Sequence, residues 1–447
     1  MTQKFHGVKG MNDLLPGEIE VWQRIERTAR EVFQRYGYQE VRTPVLEDTA
    51  LFTRSVGEQT DIVGKEMYTF EDKGGRSLSL RPEGTAPSAR AYLEHAFSNR
   101  EPVTKWFYIG QMFRYERMKT GRYRQFWQIG CETYGVSEPT QEVEQMELAV
   151  RFIEALGLQD VSLSLNSLGD DQCRPAYQAQ LVSYFTEHLS ALCADCQERL
   201  VNNPLRILDC KNVQCQAVAK DAPSVLSFLC EPCRSHFDEV KRQLTLLKVR
   251  FQINPQMVRG LDYYTRTAFE FIAASPVLST ASSVGGGGRY DKLLSSLGGS
   301  DTPAVGFGLG LDRLCLLMAD QAPGVSSSAP LVFLVNADPE SKDAVLEWTS
   351  KLRHAGLRAE MDARGGSLKS QMKRADKSRA RFALVIGQRE IAEGRVQLKS
   401  LHQEVAPRTV EWAHLESELK DESNLNRPSG SNSGGEKRPG SPMGKVS

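Results

Sequence analysis

Two short stretches carry the residues best suited to chemistry. Arg259-Gly260-Leu261-Asp262-Tyr263-Tyr264 is one; Arg289-Tyr290-Asp291, preceded by four consecutive glycines at 285–288, is the other. Each puts a guanidinium, a carboxylate and one or more phenols beside glycine. Arginine is a planar, permanently charged donor suited to phosphate. A tyrosine hydroxyl can donate to or accept from a small polar ligand in an otherwise apolar pocket. Consecutive glycines let the backbone come close to a ligand or adopt φ > 0. The combination implies a phosphorylated, aromatic or heterocyclic ligand. The plainer alternative is a glycine-rich turn bearing surface charge.

Further polar sets fall on predicted strands or their ends: Arg81-Pro82-Glu83-Gly84-Thr85, Phe113-Arg114-Tyr115-Glu116, Gln128 with Glu132, and Gly310-Leu311-Asp312-Arg313. Arginines in strand-like settings need anionic partners if they are buried. Structural ion pairs explain one such arginine; a polyphosphate ligand explains the set more economically. The chain has no GxxxxGK[ST] loop, and no GxGxxG follows a strand and opens a helix. A bound nucleotide would therefore lie on a sheet, held by arginines.

The elements that must position these groups are legible from periodicity. Ile19, Trp22, Ile25, Ala29, Val32, Phe33 and Tyr36 recur at helical spacing over 17–36, and Gly37 closes the run. Strands are predicted at Tyr38–Leu46, 77–81, 105–116, 125–134, 257–272 and 303–310, with a helix over 141–156. Residues 172–250 read as a mostly helical insertion holding seven of the nine cysteines. Its apolar stripes (Leu181, Val182, Phe185; Val240, Leu244, Leu247) could form a core unaided. After a breaker-rich linker the pattern alternates: strands at 331–335, 357–361 and 382–386, helices at 340–355, 367–380 and 409–420. Alternation of this kind argues an α/β domain with a mostly parallel or mixed sheet. Asn424–Ser447 is Ser/Gly/Pro/Asn-rich and is expected to be disordered.

The chain has 447 residues, 56 basic and 56 acidic, so its net charge is zero. A uniformly basic nucleic-acid binder is disfavoured and local basic patches remain possible. No run of about 18 apolar residues exists to span a membrane. Met1–Gly10 lacks an apolar segment that would mark export, so nine cysteines point to a reduced cytoplasmic protein or a metal site.

At the 259–264 and 286–291 stretches the sequence resembles the histidyl-tRNA synthetase family, over residues 1 to about 421. The 17–46 helix and strand resemble the first class II aminoacyl-tRNA synthetase motif, which carries a dimer interface. Residues 107–132, with Arg114, resemble the second motif, and 306–313, ending in Arg313, the third. The resemblance implies an α+β catalytic domain (1–171 and 251–322) with an antiparallel sheet flanked by helices. It also implies a helical insertion (172–250), a C-terminal α/β anticodon-binding domain (329–421) and a tail (422–447). The implied activity is ATP- and Mg²⁺-dependent attachment of L-histidine to tRNA(His) through a histidyl-adenylate, by a homodimer with no part for DNA or membrane. Arg114 would hold the α-phosphate, Arg313 the γ-phosphate, and Glu116 would sit near adenine. Glu83, Thr85 and Gln128 would take the α-amino group of histidine; Glu132, Tyr264 and Tyr290 would line the imidazole pocket. Arg259 would stabilise charge in the transition state. A regulatory paralogue that binds histidine is the alternative, but such paralogues lack the anticodon domain and erode the Arg259 signature, and this chain keeps both.

Two regions stay open. The family usually carries Pro-Gln near 118–119, where this chain has Met118-Lys119-Thr120, so its meeting with the tRNA acceptor end is unassigned. No metal ligand is placed among the site residues; Cys193/Cys196 and Cys230/Cys233 form CxxC pairs with Cys210 and Cys215 between them, a set that could bind structural zinc. In 364–381, Arg364, Lys369, Lys373, Arg374, Lys377, Arg379 and Arg381 face only Asp376. Lys369, Lys373 and Lys377 form a basic stripe, suited to a nucleic-acid backbone or simply to solvent.

Overall fold

A computed structural model describes residues 4–57, 60–278, 283–321, 329–403 and 405–424. The predicted tail lies almost wholly outside the described residues, though the closing helix Leu415–Asn424 runs into its first three positions. The chain divides into two compact units between Ser326 and Ser327.

The first unit contributes strands β1 (Gln39–Glu40), β2 (Leu46–Asp48), β3 (Tyr68–Glu71), β4 (Ser77–Leu80), β5 (Thr104–Phe113), β6 (Gln125–Tyr134), β7 (Val161–Ser167), β8 (Phe251–Ile253), β9 (Thr265–Ala273), β10 (Ser283–Arg289) and β11 (Ala304–Gly310). Eight of them form one sheet in the order β1-β5-β6-β11-β10-β9-β7-β8. The six inner strands pair antiparallel, while β1 and β8 join the edges in parallel. β2, β4 and β3 make a small separate sheet. One face of the large sheet is closed by the helices Ile19–Arg35, Thr140–Ala155 and Leu311–Gln321. Their apolar stripes bury Trp22, Ile25, Val32, Phe33, Met146 and Phe152 against Phe107, Ile129, Phe269 and Phe307. Phe33 packs edge-to-face on Phe107 and Phe152, with ring centroids 5.5 and 5.3 Å apart. The opposite face is covered in part by the helix Thr85–Glu94, which packs over Trp106 and Tyr134, and the rest of it is left for the site.

Two predicted strands are shorter than expected. Tyr38–Leu46 gives only β1 and the start of β2. Pro44 has no N–H, and the carbonyls of Thr43 and Pro44 accept from Arg81 Nη1 at 2.9 and 3.4 Å, so ladder bonding stops there. Similarly, 257–264 is a loop. Met257 N–H bonds Asn254 in a tight turn and Asp262 N–H reaches Val56, leaving β9 to start at Thr265.

The insertion holds the helices Arg174–Glu187, Ala194–Asn202, Val213–Lys220 and Glu231–Leu246. Its apolar stripes behave differently from the sequence expectation. Val240 and Leu244 join the core of the large sheet, and Val182 and Leu247 are exposed. The insertion's own buried cluster is built on Tyr177, Leu181 and Phe185 together with Cys173, Cys196, Cys210, Cys215 and Cys233.

The second unit contains β12 (Val332–Asn336), β13 (Ala359–Met361), β14 (Phe382–Ile386), β15 (Arg395–Ser400) and β16 (Arg408–Glu411), ordered β13-β12-β14-β15-β16. The first three are parallel and the last two antiparallel, so the sheet is mixed. β15 lies where the sequence analysis places no element, although Arg395-Val396-Gln397-Leu398 alternates in the manner of a half-buried strand, and β16 takes the start of the helix expected at 409–420. The helix Leu368–Lys377 buries Gln371 and Ala375 and exposes Lys369, Lys373 and Lys377 on its other side. Arg374 and Arg381 are neutralised by Asp362 and Glu422.

Arg289, so prominent in the sequence, serves this architecture. It is fully buried and donates to Glu142, through Nε at 2.8 Å and through Nη2, and to Asp291 at 3.0 Å. His236 Nε2 meets Glu142 at 2.5 Å. Burial raises the Glu142 carboxyl, but bonds from Arg289 and His236 outweigh it and hold it below the usual range. The stabilisation is therefore present above about pH 4.5 and lost as pH falls through the depressed value. Arg289→Ala strands a buried carboxylate and is expected to cost about 3–5 kcal/mol, read as a lower urea midpoint. A loss near zero would mean that the pair is replaceable by water.

Candidate active site

The uncovered sheet face floors a cavity of about 290 Å³. Its walls include Glu83, Thr85, Arg114, Glu116, Gln128, Arg259, Tyr264 and Arg313, eight of the ten residues expected from sequence. The remaining two, Glu132 and Tyr290, lie in contact directly beneath, with Tyr290 OH donating to Glu132 Oε2.

Glycine makes this face possible. Gly286 and Gly308 are direct neighbours across β10 and β11, as are Gly288 and Gly306. A Cβ on Gly306 would sit 1.7 Å from Glu132 Oε2, and one on Gly286 2.8 Å from Arg259 Nη1. The glycine run thus serves close approach: site side chains lie flat on bare backbone.

Two groups of side chains meet on this floor. The first is cationic. Arg114 is fixed by Nε donating to Pro82 O at 2.8 Å, and stacks over Phe126 at 5.4 Å. Arg313 donates through Nε to Gly121 O at 3.1 Å, and also to Ser283 O. Both lean on neutral carbonyls, and Arg114 also lies 3.8 Å from the Glu116 carboxylate, which it shares with Arg122. Burial, and then the charge of Arg122 with a smaller contribution from Arg114, pulls Arg313 below its ordinary value. Arg122 pairs with Glu116 at 3.0 Å. Arg259 reaches Glu270 at 3.4 Å and stacks over Tyr264 at 5.7 Å, while its buried Nε has no hydrogen-bond partner among the described residues. Positive groups crowded together, with donors unmet, suit a polyanion.

The second group is the acceptor side. Glu83 caps the helix Thr85–Glu94, its two oxygens accepting from Thr85 N at 2.6 Å and Ala86 N at 2.8 Å. Glu132 is completely buried and accepts from Thr85 Oγ1 at 2.8 Å, from Tyr108 OH at 3.1 Å and from Tyr290. Burial pushes its carboxyl up to about 8, against the lowering effect of these hydroxyls. The rings of Tyr263, Tyr264 and Tyr290 enclose this end, and Tyr263 OH has no partner among the described residues.

Arg81 does not join the cavity wall; its donors go to Gln111 O and Thr43. Tyr108, Arg122, Tyr263 and Glu270 line the cavity and had been given no role. Glu270 had a readable signal, since an acid between Phe269 and Phe271 marks a strand face that is not core. Arg122 had none, because loop residues carry no periodicity.

An antiparallel sheet with an arginine-lined cavity on one face and no glycine-rich phosphate loop is the architecture of class II aminoacyl-tRNA synthetase catalytic domains. Comparison with known proteins narrows this. The histidyl-tRNA synthetase profile matches residues 10–314, and the anticodon binding domain profile matches 331–422. A histidine–tRNA ligase of Anaeromyxobacter sp. (strain K) is 52% identical over 398 residues, 89% of this chain and 95% of that one. That of Syntrophotalea carbinolica is 46% identical over 92% of this chain and 98% of its own. The crystal structure of apo Staphylococcus aureus histidyl-tRNA synthetase superposes with a TM-score of 0.78 at 34% identity, covering 93% of this chain and all of that one. The chain belongs to the histidyl-tRNA synthetase family. No helix among the described residues is long and apolar enough to cross a membrane.

Proposed function

We propose that the chain activates L-histidine with ATP and transfers it to tRNA(His), releasing pyrophosphate and AMP. The observation that carries this reading is the juxtaposition on one glycine floor of a polyphosphate-type arginine set with the Glu132–tyrosine pocket. In the first step a carboxylate oxygen of histidine attacks the α-phosphorus. The bond from that phosphorus to the bridging oxygen breaks, and pyrophosphate leaves. The nucleophile is already anionic, so no general base is needed; alignment and charge neutralisation supply the rate. Arg114 and Arg259 serve the α-phosphate and Arg313 the γ-phosphate, with Glu116 near adenine. Glu83, Thr85 and Gln128 receive the α-amino group. A neutral imidazole offers one donor and one acceptor, and Glu132, Tyr264 and Tyr290 answer them. A carboxylate has about four acceptor positions, so three hydroxyls leave Glu132 room for one more donor.

Mg²⁺ fits the same cavity. Glu270 faces it, and among the described residues its one polar side-chain contact is to Arg259 at 3.4 Å; magnesium commonly binds through one or two carboxylates plus substrate phosphates. When bound, the ion would neutralise phosphate charge.

The second unit, 329–421, binds the anticodon, supported by its exposed lysine stripe. The loop 117–124 approaches the acceptor end. Burial, then Arg122, Lys211 and Arg313, hold the Lys119 amine below its ordinary value, in keeping with a local cationic field. Leu46 and Phe70, 41% and 45% exposed on the small sheet, support a homodimer contact near Pro44. Nine free cysteines suit the cytoplasm. Charging of a tRNA(His) transcript with labelled histidine, beside a non-cognate transcript, tests the whole reading. Charging of the cognate alone is expected; charging of neither, with histidine still bound, would make the chain a histidine-binding regulator.

A further inference from the structure

The insertion holds a second place where chemistry-bearing side chains converge, about which the reaction above says nothing. Cys193, Cys196, Cys210 and Cys215 come from three successive segments, and their sulfurs all lie within 4.8 Å of one another. This is not the pairing that the two CxxC motifs suggest. Cys230 and Cys233 lie instead with Cys173 and Asp170.

We propose that Cys193, Cys196, Cys210 and Cys215 bind one structural zinc ion. Four thiolates about 2.3 Å from a tetrahedral zinc lie about 3.8 Å from each other. Cys193 and Cys210 are 3.9 Å apart, far from the roughly 2 Å of a disulfide. Cys193 caps the helix Ala194–Asn202 and Cys196 sits in its first turn, while Cys215 sits in the first turn of Val213–Lys220. Backbone donors already address the sulfurs, Cys193 N to Cys215 at 3.2 Å and Asn212 N to Cys210 at 3.4 Å. Such outer bonds orient ligands around a metal. Arg199, one turn beyond Cys196, adds a compensating positive charge.

The packing points the same way. The aliphatic stripes that would have given the insertion an independent core are partly elsewhere, in the main core or in solvent. What remains is a cluster in which five buried thiols sit among Tyr177, Leu181, Phe185, Leu200, Ile207 and Leu229. The set Asp170, Cys173, Cys230 and Cys233 has a weaker case, because Asp170 is already engaged by Gln172 N at 3.1 Å and Arg266 at 3.7 Å. It stays outside the proposal.

The ion would brace the segment that positions the Arg259 loop. Between the two cysteine pairs, Asn203 donates to Asp262 at 3.2 Å and Arg206 to the Arg259 carbonyl at 3.2 Å. Arg199 and Arg206 both pair with Asp61, at 3.2 and 3.3 Å.

The test is metal analysis of the full chain, purified without chelator from zinc-supplied cells. The variant Cys210→Ser/Cys215→Ser is expected to hold one zinc equivalent fewer than the parent, and Cys315→Ser the same as the parent. No zinc in the parent, iron in its place, or equal zinc in the double variant would overturn the proposal. If the double variant is insoluble, the parent answers alone. Peptide-mapped alkylation before and after treatment with a chelator should show these four cysteines becoming reactive on zinc release. Alkylation of all four while zinc stays bound would overturn it equally.

Discussion

Arg259→Ala is expected to slow histidyl-adenylate formation by about 10³-fold, while leaving the fold and its thermal midpoint nearly unchanged. Both halves follow from where the side chain sits. Arg259 lines the cavity with its side chain 17% exposed, and its ion-pair partner, Glu270, is 26% exposed. Losing an ion pair with that much water access costs about 1 kcal/mol or less. The group is not part of the apolar core; it lies over Gly286 with Nε unmet. A guanidinium held there has little to do until charge builds on the α-phosphate. Single-turnover adenylate formation, followed with a thermal melt on the same sample, checks the pair of claims. A variant that melts early, or one that activates histidine normally, would remove Arg259 from this role.

Glu132→Gln is expected to raise the KM for histidine by about 10²-fold and to leave the KM for ATP unchanged. Leaving buried hydrogen-bonding groups without a matching partner costs about 1–3 kcal/mol, and 1.4 kcal/mol is about tenfold. The amide also presents donors to Thr85, Tyr108 and Tyr290, all of which donate to the carboxylate in the parent. The same variant carries a stability signature with a definite sign. The Glu132 carboxyl is raised from the ordinary 4.5 to about 8. The unfolded chain therefore loses its proton first, and Glu132 costs the parent stability increasingly from pH 4.5 to 8. Glutamine does not titrate. The melting difference, variant minus parent, should grow between pH 5 and 8 and then level off. A difference that shrinks with pH would mean that Glu132 is ionised at little cost.

Residue type and motif order named most of this site; they said much less about which side of a strand each group faces. Arg259 and Arg289 looked equivalent, each beside tyrosine and aspartate. Arg289 turns away to Glu142, and only Arg259 reaches the cavity. Arg81 likewise belongs with Glu83 in sequence but braces the Thr43–Pro44 bend in space. Strand pleating separates such neighbours, and a single residue of offset, as at the irregularity between Gly288 and Arg289, decides the face. The long amphipathic helices and the aromatic strands of the catalytic unit were readable because burial imposes a period. The insertion's helices were readable too, but not the destination of their apolar faces, which divide between the main core and a thiol-containing cluster that involves residues 170 to 233. Spacing alone left six cysteines open; the fold brings Cys193, Cys196, Cys210 and Cys215 together. Tyr108 and Glu270 became site residues only once glycine in the facing positions opened space above the sheet.

The most direct measurement is ATP–pyrophosphate exchange by the purified chain, run against each of the twenty amino acids. Exchange with L-histidine alone is the expected result, since a pocket built to hydrogen-bond both imidazole nitrogens leaves its polar groups unpaired with any other side chain. Exchange with several amino acids, or none with histidine, would contradict the assignment of the Glu132–tyrosine pocket and the arginine set to a single activating site.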